Sequence, residues 1–563
     1  MITSADTLTD PGKSMFTANQ DNDDQITNDS VIMHNATFWY GEDARPTEGW
    51  MQITGKHITQ FKPGKLPQAL KSKKTINLNR AHVLPGFVDC HTHLTVSAWI
   101  PCSIDGSAWR SKKDVLEALS RHAQILDASS WLVVFYADFH QIGHLPTMQE
   151  LEEATQGRPV IINDFSLHQC LANESAFKQA NISSINFTHG DVERRKGRTT
   201  GRLQETASGH MLSIALTKFA GQFESLNALS LLKAEADRHI SLGITACHDP
   251  CVHPKMQTAM EKLELRTPLR LSWSHVKSHE QADFISEELC LSCGTGPKSA
   301  KMFLDGAQQC AICLDPADVM KLSVYSISNA LQGNFSSLRT LSSTKLNYNK
   351  GQFSTPYLRL DQEDLKHSLE AIGKESVRPK IHAIGNDAVK CACSALKQSG
   401  TKDSTIEHLI LLSDQNIDEL ASCGAVASLQ PGFLNQSEEL IASNIDKVLN
   451  IIPAKSLLNS GIPTALSSDN PCGPLDPLGN IRSAVTRQSN AGLVVDAKES
   501  ISMPEAVHAY SMGGHHAIHG QPHKGLTEGQ VADLAILNGH PENPSVQVVS
   551  TWIDGKQVFS KSA

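Results

Sequence analysis

The sequence predicts an α/β protein: a (β/α)8 barrel of the TIM type with a small β-sandwich domain formed by both chain ends. In a long middle region, short apolar runs alternate with amphipathic stretches, which is the pattern of βα units. These runs number eight, as a closed parallel barrel requires. The strand candidates are 83–93, 158–164, 243–249, 300–305, 379–383, 404–409, 424–430 and 463–468.

The two ends of the chain differ in character from this middle region. Residues 1–30 carry six Asp, one Lys and few apolar residues, which predicts a disordered leader. Residues 31–80 and 525–563 consist of short β-type runs between turn signals. We therefore expect these two segments to form the β-sandwich domain and residues 81–524 to form the barrel.

Between the strands, two helices have clear boundary signals. The stretch 361–373 opens on an aspartate N-cap and repeats leucine and isoleucine at helical spacing. The stretch 502–514 opens with a capping box, SMPE, and is expected to close on its Gly-Gly pair. Region 317–357 is rich in Ser, Asn and Gly, and we interpret it as a long loop over the fourth strand.

Composition restricts the classes of partner. A net charge of −9 argues against nucleic acid or an anionic membrane as the main partner. No apolar run approaches the roughly 18 residues of a membrane helix, and no secretory signal is recognisable. The odd count of 13 cysteines suits a reducing compartment, so a cytoplasmic location is expected. We expect a small-molecule substrate and consider a homodimer possible.

The most informative motif is the end of the first strand candidate, where Asp89, His91 and His93 follow an apolar run. Residues two apart in a strand point to the same face, so both imidazoles aim at one point. Neutral imidazole is a preferred ligand of zinc and similar metals. The alternative is that these are two ordinary histidines in a chain that has 25.

Other strand candidates also end in side chains that can bind a metal. In a parallel barrel, the active site lies at the carboxyl ends of the strands. Four histidines and one aspartate near such ends would suit one or two divalent metals. The candidates beyond the first strand are Lys301, Asp305, His382, His408 and Asp469.

In the order of these motifs, the chain resembles the amidohydrolase superfamily, in the branch similar to N-substituted formamide deformylase. The resemblance covers about residues 31 to 560. It implies a (β/α)8 barrel with a β-sandwich built from both termini, and hydrolysis of an amide-type bond. The motifs that carry it are PGFVDCHTHL, KMFLDGA, HAIGNDAV, IEHLILL, ASLQP, SSDNPCGPLDPLGNIRSAVTR and VADLAIL.

The resemblance also implies residue roles. Metal ligands would be His91, His93, His382, His408 and Asp469. Asp469 would in addition move protons between water and the leaving nitrogen, as a general acid–base does. The cofactor would be zinc, as one or two divalent ions, because bound metal lowers the pKa of water towards about 7.

Lys301 stands where many members have a carboxylated lysine that bridges two metals. Only the carbamate can be a ligand, because an ammonium group has no lone pair. The alternative is a buried lysine paired with Asp305. Glu205 could supply a bridging carboxylate instead, although a solvated helix residue is the more ordinary interpretation. His168 and Asp305 are the expected substrate-binding residues.

Two alternatives to the hydrolase remain. The first is a metal-dependent deaminase of a cyclic amidine or aminopurine, which ranks lower because such enzymes usually keep a glutamate a few residues after the strand-five histidine, where this chain has Asn386 and Asp387. The second is a catalytically silent barrel acting as a scaffold. The stretch after KMFLDG departs from the family pattern, which predicts a distinctive substrate pocket and keeps this second alternative open.

Two further patterns resemble metal sites. Cys290-x2-Cys293 and Cys310-x2-Cys313 have zinc-ribbon spacing, but the strand between them would separate the two pairs. His515 and His519 share a helix face at i and i+4, a position that a helix end also favours through its dipole. We interpret both patterns as structural.

Overall fold

The structure is a computed structural model with mixed α/β architecture and several sheets. It describes residues 30–187, 190–222, 228–276, 294–307, 310–333, 346–436 and 444–561. The predicted leader therefore falls almost entirely outside the described residues. Among the residues that are described, no helix is both long enough and apolar enough to cross a bilayer.

One seven-stranded sheet combines strands from both ends of the chain. Its order is β27-β26-β25-β4-β1-β2-β3, with only β1 and β4 paired in parallel. Phe38, Met51 and Leu534 are buried in its core, so residues far apart in sequence share one apolar cluster. The strands are β1 (Ser30–Tyr40), β2 (Arg45–Thr54), β3 (His57–Pro63), β4 (Thr75–Pro85), β25 (Leu534–Leu537), β26 (Val548–Ile553) and β27 (Lys556–Ser560).

Parallel strands from the middle of the chain form two further sheets. Their orders are β13-β12-β5 and β14-β15-β19-β20-β22-β24, and every pairing within them is parallel. Their carboxyl ends therefore lie on one side. These strands are β5 (Phe87–Asp89), β12 (Ile244–Asp249), β13 (Arg270–Trp273), β14 (His275–Val276), β15 (Ser299–Phe303), β19 (Arg378–Ala383), β20 (Thr405–His408), β22 (Val426–Leu429) and β24 (Thr464–Leu466).

The prediction that residues 158–164 form the second barrel strand is wrong, because this segment does not pair with the strands of the two parallel sheets. It forms β8 in a separate six-stranded sheet of order β10-β11-β9-β8-β7-β6. Residues 270–276, which the sequence analysis passed over, lie among the parallel strands instead. An apolar run reports burial but not the neighbour that buries it. The strands of this sheet are β6 (Ile104–Asp105), β7 (Leu132–Ala137), β8 (Val160–Asp164), β9 (Gln169–Ala172), β10 (Val192–Arg195) and β11 (Arg198–Gln204).

The remaining strands are short. They pair in a three-stranded sheet, β16-β18-β17, and a two-stranded sheet, β21-β23. They are β16 (Cys313–Leu314), β17 (Asn347–Asn349), β18 (Gln352–Ser354), β21 (Leu411–Leu412) and β23 (Asn450–Ile451).

Helices cover the sheets and connect the strands. In the first half of the chain they are α1 (Leu94–Ser97), α2 (Lys112–Ile125), α3 (Phe139–Ile142), α4 (Met148–Ala154), α5 (Glu174–Gln179), α6 (Glu205–Ala220), α7 (Ala228–Ser241) and α8 (Gln257–Glu264). In the second half they are α9 (Pro316–Leu331), α10 (Gln362–Lys374), α11 (Asn386–Ser399), α12 (Asp414–Cys423), α13 (Ala454–Asn459), α14 (Pro477–Thr486), α15 (Met503–His508) and α16 (Gly514–His519).

The predicted loop 317–357 is wrong over its first part, which forms helix α9. A capping box between Asp315 and Asp318 and a proline at the first helical position begin this helix. The Ser- and Asn-rich composition outweighed these start signals in the sequence analysis. Residues 334–345 lie outside the described part of the chain.

The two predicted helix starts are confirmed, but one predicted end is wrong. Asp361 caps α10, and Ser502 forms the expected capping box before α15. The Gly513-Gly514 pair does not end the helical run, which continues to a left-handed residue at Gly520. A Cβ on either glycine of the pair would lie 2.3 Å from a backbone oxygen of β24 or β5. These glycines permit close packing rather than a turn.

Candidate metal centre and active site

His91 and His93 lie just past the end of β5 and converge as expected. The Nε2 atoms of His91 and His93 lie 3.2 and 3.0 Å from the same oxygen, Oδ1 of Asp469. The backbone amide of Asp469 donates to the His91 carbonyl at 2.8 Å, which joins the end of β24 to the end of β5. Two strand ends that are distant in sequence thus form one corner of the site.

In this corner, the buried carboxylates and imidazoles stabilise one another in their charged forms. Burial alone would lower the pKa of His91, but Glu407 and Asp469 raise it to about 9. Burial would raise the pKa of Asp469, but His91 and His93 hold it well below its ordinary value. A carboxylate that stays ionised while buried is suited to a cation.

His382 and His408 stand on neighbouring strands, β19 and β20. Their ring centroids are 4.4 Å apart, and the His408 ring is 4.9 Å from that of His91. His408 has a positive φ of 78°, so strict alternation along β20 is broken at its last residue. Its Nδ1 bonds the side-chain oxygen of Gln430 at 2.9 Å. The four predicted histidines therefore form one cluster, which we call the site cluster.

Glu407 is a site residue that the sequence analysis missed. It is fully buried, accepts from the Lys301 ammonium, and has Oε1 3.1 Å from Nδ1 of His91. The only sequence signal is its position, directly before His408 in a strand that ends at the site. The alternative pairing of Lys301 with Asp305 is wrong, because Lys301 pairs with Glu407.

Asp305 is enclosed by backbone amides. Its carboxylate accepts from the amides of Ala311, Ile384 and Gly385 at 2.9 to 3.0 Å. One of its oxygens also lies 3.7 Å from Nε2 of His382. Burial raises the pKa of Asp305 to about 7 despite these bonds. Asp305 thus ties the end of β15 to the turn after β19.

His168 and Glu205 form a second pair at the edge of the site. Nδ1 of His168 donates to Glu205 at 2.6 Å, and the His168 ring is 5.3 Å from that of His382. The interpretation of Glu205 as a solvated helix residue is wrong, because its side chain is buried. Glu205 has a positive φ of 47°, and such backbone strain at a non-glycine residue is concentrated at functional sites.

The donor set fits a divalent metal. His91, His93 and Asp469 have ligand atoms within 4.8 Å of one another, and so do His91, Glu407 and His408. Nε2 of His382 is buried without a hydrogen-bond partner among the described residues. Imidazole nitrogen and carboxylate oxygen are the ligands of metal-activating hydrolytic sites. The two groups share His91, so the site offers places for one ion or two neighbouring ions.

A cavity of about 300 Å³ lies against these side chains. Its walls include the four histidines of the site cluster, together with Lys301, Asp305, His168, Glu205 and Asp469. Every site residue predicted from the sequence therefore contacts one space. The cavity continues beyond them along helix α6.

The zinc-ribbon pattern is only partly within the described residues. Cys290 and Cys293 lie outside them, and Cys310 and Cys313 are free thiols. Cys310 and Cys313 are not part of either candidate metal group within the described residues.

The chain is similar to known proteins over most of its length. The model of the amidohydrolase family matches residues 74–559. N-substituted formamide deformylase from Arthrobacter pascens is 24% identical over 521 residues, which cover 86% of this chain and 90% of that protein. The YtcJ amidohydrolase of Bacillus subtilis strain 168 is 25% identical over 517 residues, with the same shares covered.

Solved structures agree at the level of the fold. An uncharacterized metal-dependent hydrolase from Pyrococcus horikoshii OT3 superposes with a TM-score of 0.63 at 17% identity, covering 94% of this chain and all of that one. A second one, from Pyrococcus furiosus, gives 0.60 at 19% identity, with 91% and 100% covered. These neighbours imply a fold of the TIM-barrel type. The chain belongs to the amidohydrolase family and is a hydrolase of carbon–nitrogen bonds.

Proposed function

We propose that this protein is a metal-dependent hydrolase that cleaves a non-peptide amide or a formamide-like bond. The observation that carries the proposal is the convergence of two imidazoles on one ionised, buried carboxylate, that of Asp469. Bound divalent metal would activate water and polarise the carbonyl under attack. The residues that would hold it are His91, His93, His382, His408 and Asp469, with Lys301 as a conditional ligand.

Asp469 is the proposed proton carrier. Its Oδ1 faces His91 and His93, and its Oδ2 lies 3.9 Å from Nδ1 of His408. The carboxylate is thus central, and its low pKa keeps it ionised, so its oxygens are available to accept a proton from water. It would pass that proton to the departing nitrogen, which otherwise leaves as an unstable anion.

Lys301 would be a ligand only as its carbamate. As an ammonium group it neutralises Glu407, and a carbamate in the same place would put two anions in contact. Divalent cations would remove that repulsion, so we propose that Lys301 is carbamylated only together with metal binding. Until then Glu407 is its counter-ion, and Glu407 orients His91 through Nδ1.

His168 and Asp305 have different proposed roles at the substrate. His168 lines the cavity and is held by Glu205, so it can donate a hydrogen bond to the substrate carbonyl. Both oxygens of Asp305 are used by backbone amides, so it supports the substrate pocket by fixing the turn beside His382.

The finer architecture is also a proposal. We propose that the parallel strands close into one eight-stranded barrel, within residues 81–524, with β13 and β14 as its third strand. Only Ser274 separates β13 from β14, and the amide of Asp469 bonds the carbonyl of His91 where the last and first strands meet. The seven-stranded sheet supports a β-sandwich domain from residues 31–80 and 525–563.

Zinc is the proposed metal, since imidazole and carboxylate ligands in a hydrolytic site suit it. A cytoplasmic location is proposed from the cysteines. The eleven cysteines among the described residues are all free thiols, which suits a reducing compartment.

The test combines metal analysis with product analysis. The protein is purified without added metal, its ion content is measured, and it is assayed on N-substituted formamides and on aminated heterocycles. We expect at least one equivalent of zinc and release of formate. Less than about half an equivalent, with none gained on reconstitution, would contradict the proposal. Ammonia release from the heterocycles alone would establish the deaminase instead, and no turnover on a metal-loaded site would favour the scaffold.

A further inference from the structure

The cavity at the site cluster is long rather than round. Helix α6 forms one wall, and it contributes Glu205, Gly209, Leu212, Leu216 and Ala220 to the lining. These positions recur every three or four residues, so they share one face of the helix. From 205 to 220 the helix rises about 22 Å at 1.5 Å per residue. A cavity of about 300 Å³ that follows this face is therefore elongated along the helix.

The wall changes character with distance from the site cluster. Glu205 bonds His168 at the near end, whereas farther along the helix the apolar Leu212, Leu216 and Ala220 line the cavity. The hydroxyl-bearing Ser213 and Thr217 stand between them. Apolar residues from other elements face the same space, namely Val96, Trp99, Leu167, Met256 and Phe303. Water gains few hydrogen bonds in such a space, so an apolar group entering it is favoured.

Charged side chains in the lining do not oppose an apolar occupant. Arg359 pairs with the buried Asp191 at 3.0 Å, which neutralises its charge. Lys255 is exposed, so it marks a place where the cavity meets solvent. Most of the lining surface is therefore apolar, and Lys255 lies where the cavity opens to solvent.

We propose that the substrate is an amide-type compound with an extended apolar chain, which lies along α6 and ends away from the site cluster. This inference rests on the proposed hydrolase function and specifies its substrate class. The length of the apolar face along α6 favours an extended alkyl chain over a compact group. The reacting carbonyl would sit between His168 and Asp469, and the chain would contact Leu212 and Leu216.

The test is a homologous series of substrates with chains from methyl to decyl. One arm carries the chain on nitrogen, as N-alkylformamides, and the other carries it on the acyl carbon, as N-methylalkanamides. We expect kcat/KM in one arm to rise about three- to fourfold per methylene before it levels off. The series in which kcat/KM rises shows whether the substituent on nitrogen or the one on the acyl carbon enters the cavity. A carboxylate at the chain end should abolish the gain.

Matched variants distinguish binding of the chain in the cavity from a general effect of substrate hydrophobicity. Thr217 and Lys218 are adjacent and exposed on α6, but only Thr217 lines the cavity. Thr217→Trp and Leu216→Trp should remove the advantage of long chains. Lys218→Trp should leave the whole series unchanged. An equal effect of Thr217→Trp and Lys218→Trp would overturn the inference.

The outcomes also separate this inference from the proposed function. Hydrolysis that does not depend on chain length overturns the chain-binding role and leaves the hydrolase intact. If no compound is hydrolysed, calorimetric binding of N-decylformamide decides. If Thr217→Trp weakens this binding and Lys218→Trp does not, the chain-binding role of the cavity is supported although the hydrolase function is not. Absence of binding would overturn the chain-binding role of the cavity as well.

Discussion

Two groups of histidines in this protein differ in the charged side chains that surround them. The site cluster is defined by His91, His93, His382 and His408. A second group, which we call the distal cluster, consists of His515, His519 and His523. The ring of His515 is 4.3 Å from that of His519 and 4.7 Å from that of His523. Ring spacing alone would not tell the two clusters apart.

The neighbours of each cluster make the difference. Glu407 and Asp469 raise the pKa of His91 to about 9 against the effect of burial. Burial, together with neighbouring histidines and Arg270, lowers the pKa of His515 and of His519 to about 4. Carboxylates, rather than the number of imidazoles, mark the cluster that is suited to a metal.

The distal cluster also corrects the expected effect of the helix dipole. A helix end should favour a charged histidine, but burial outweighs that effect here. Lys380 and Arg378, both buried, donate instead to the carbonyls of Ala517 and Ile518 at the end of α16. These cations take the place at the helix end that the histidines were expected to take.

The largest expected effect tests the carboxylate that only the site cluster has. Asp469→Asn should retain bound metal but lower kcat by about 100- to 10,000-fold, because an amide cannot carry the proton. Metal content and turnover of one preparation check this. His519→Ala, in the distal cluster, is the control and should leave both unchanged. Full activity in Asp469→Asn would remove the proton-carrying role.

The second largest effect is expected on metal affinity, when a metal ligand is removed from the site cluster. His382→Ala should weaken metal binding by more than about 100-fold, since loss of a ligand's supporting partner alone costs 10- to 100-fold. Competition with a chelator measures the affinity. His519→Ala should bind metal like the unchanged protein. Equal losses in the two variants would mean that the distal cluster also holds metal.

Glu407→Gln tests the carboxylate behind the metal ligands. We expect metal affinity to fall by about 10- to 100-fold, because His91 loses the charge that orients its ring. Lys301 would also lose its counter-ion. Chelator competition is again the measurement, and circular dichroism confirms folding. An unchanged affinity would show that Glu407 only neutralises Lys301.

The smallest expected effect concerns acid stability. His515 and His519 have pKa values near 4 in the folded protein, below the ordinary 6.5. Their contribution to stability is therefore complete above pH 6.5 and is lost as the pH falls towards 4. Their partial exposure limits this to about 1 kcal/mol each. Urea unfolding at pH 7 and pH 4.5 should show a smaller acid loss in His519→Gln. An identical loss would contradict the assignment.

His91 should behave in the opposite sense in metal-free protein. Its folded pKa of about 9 lies above the ordinary value, so its contribution to stability is present below pH 6.5 and is lost as the pH rises through 9. The pH dependences of His91 and of the distal histidines thus differ in sign, whereas burial lowers the pKa of His382 and of His408 as it does in the distal cluster. Comparing His91→Gln with His519→Gln over the full range makes that difference measurable.

Much of the site was predictable because it follows local rules. His91, His93, His382, His408 and Asp469 were predicted from their places at strand ends together with the family resemblance, and all of them line one cavity. The helix starts at Asp361 and Ser502 followed from capping chemistry, which acts within a few residues. Such features need no knowledge of distant contacts.

Other features depended on contacts that no local pattern reveals. The apolar run 158–164 is as strand-like as 270–276, yet only 270–276 joins the parallel strands. Glu407 reads as an ordinary charged residue until Lys301 and His91 are placed beside it. Glu205 likewise reads as solvated until His168 is seen to bond it.

The sequence by itself determined which donor atoms the chain offers, in what order they come, and that many of them stand where apolar strands end. Only the tertiary structure decided which cluster of histidines has buried carboxylates beside it. The physical reason is that a buried charge is stabilised by the few groups within several ångströms of it. Those groups come from segments that are hundreds of residues apart along the chain.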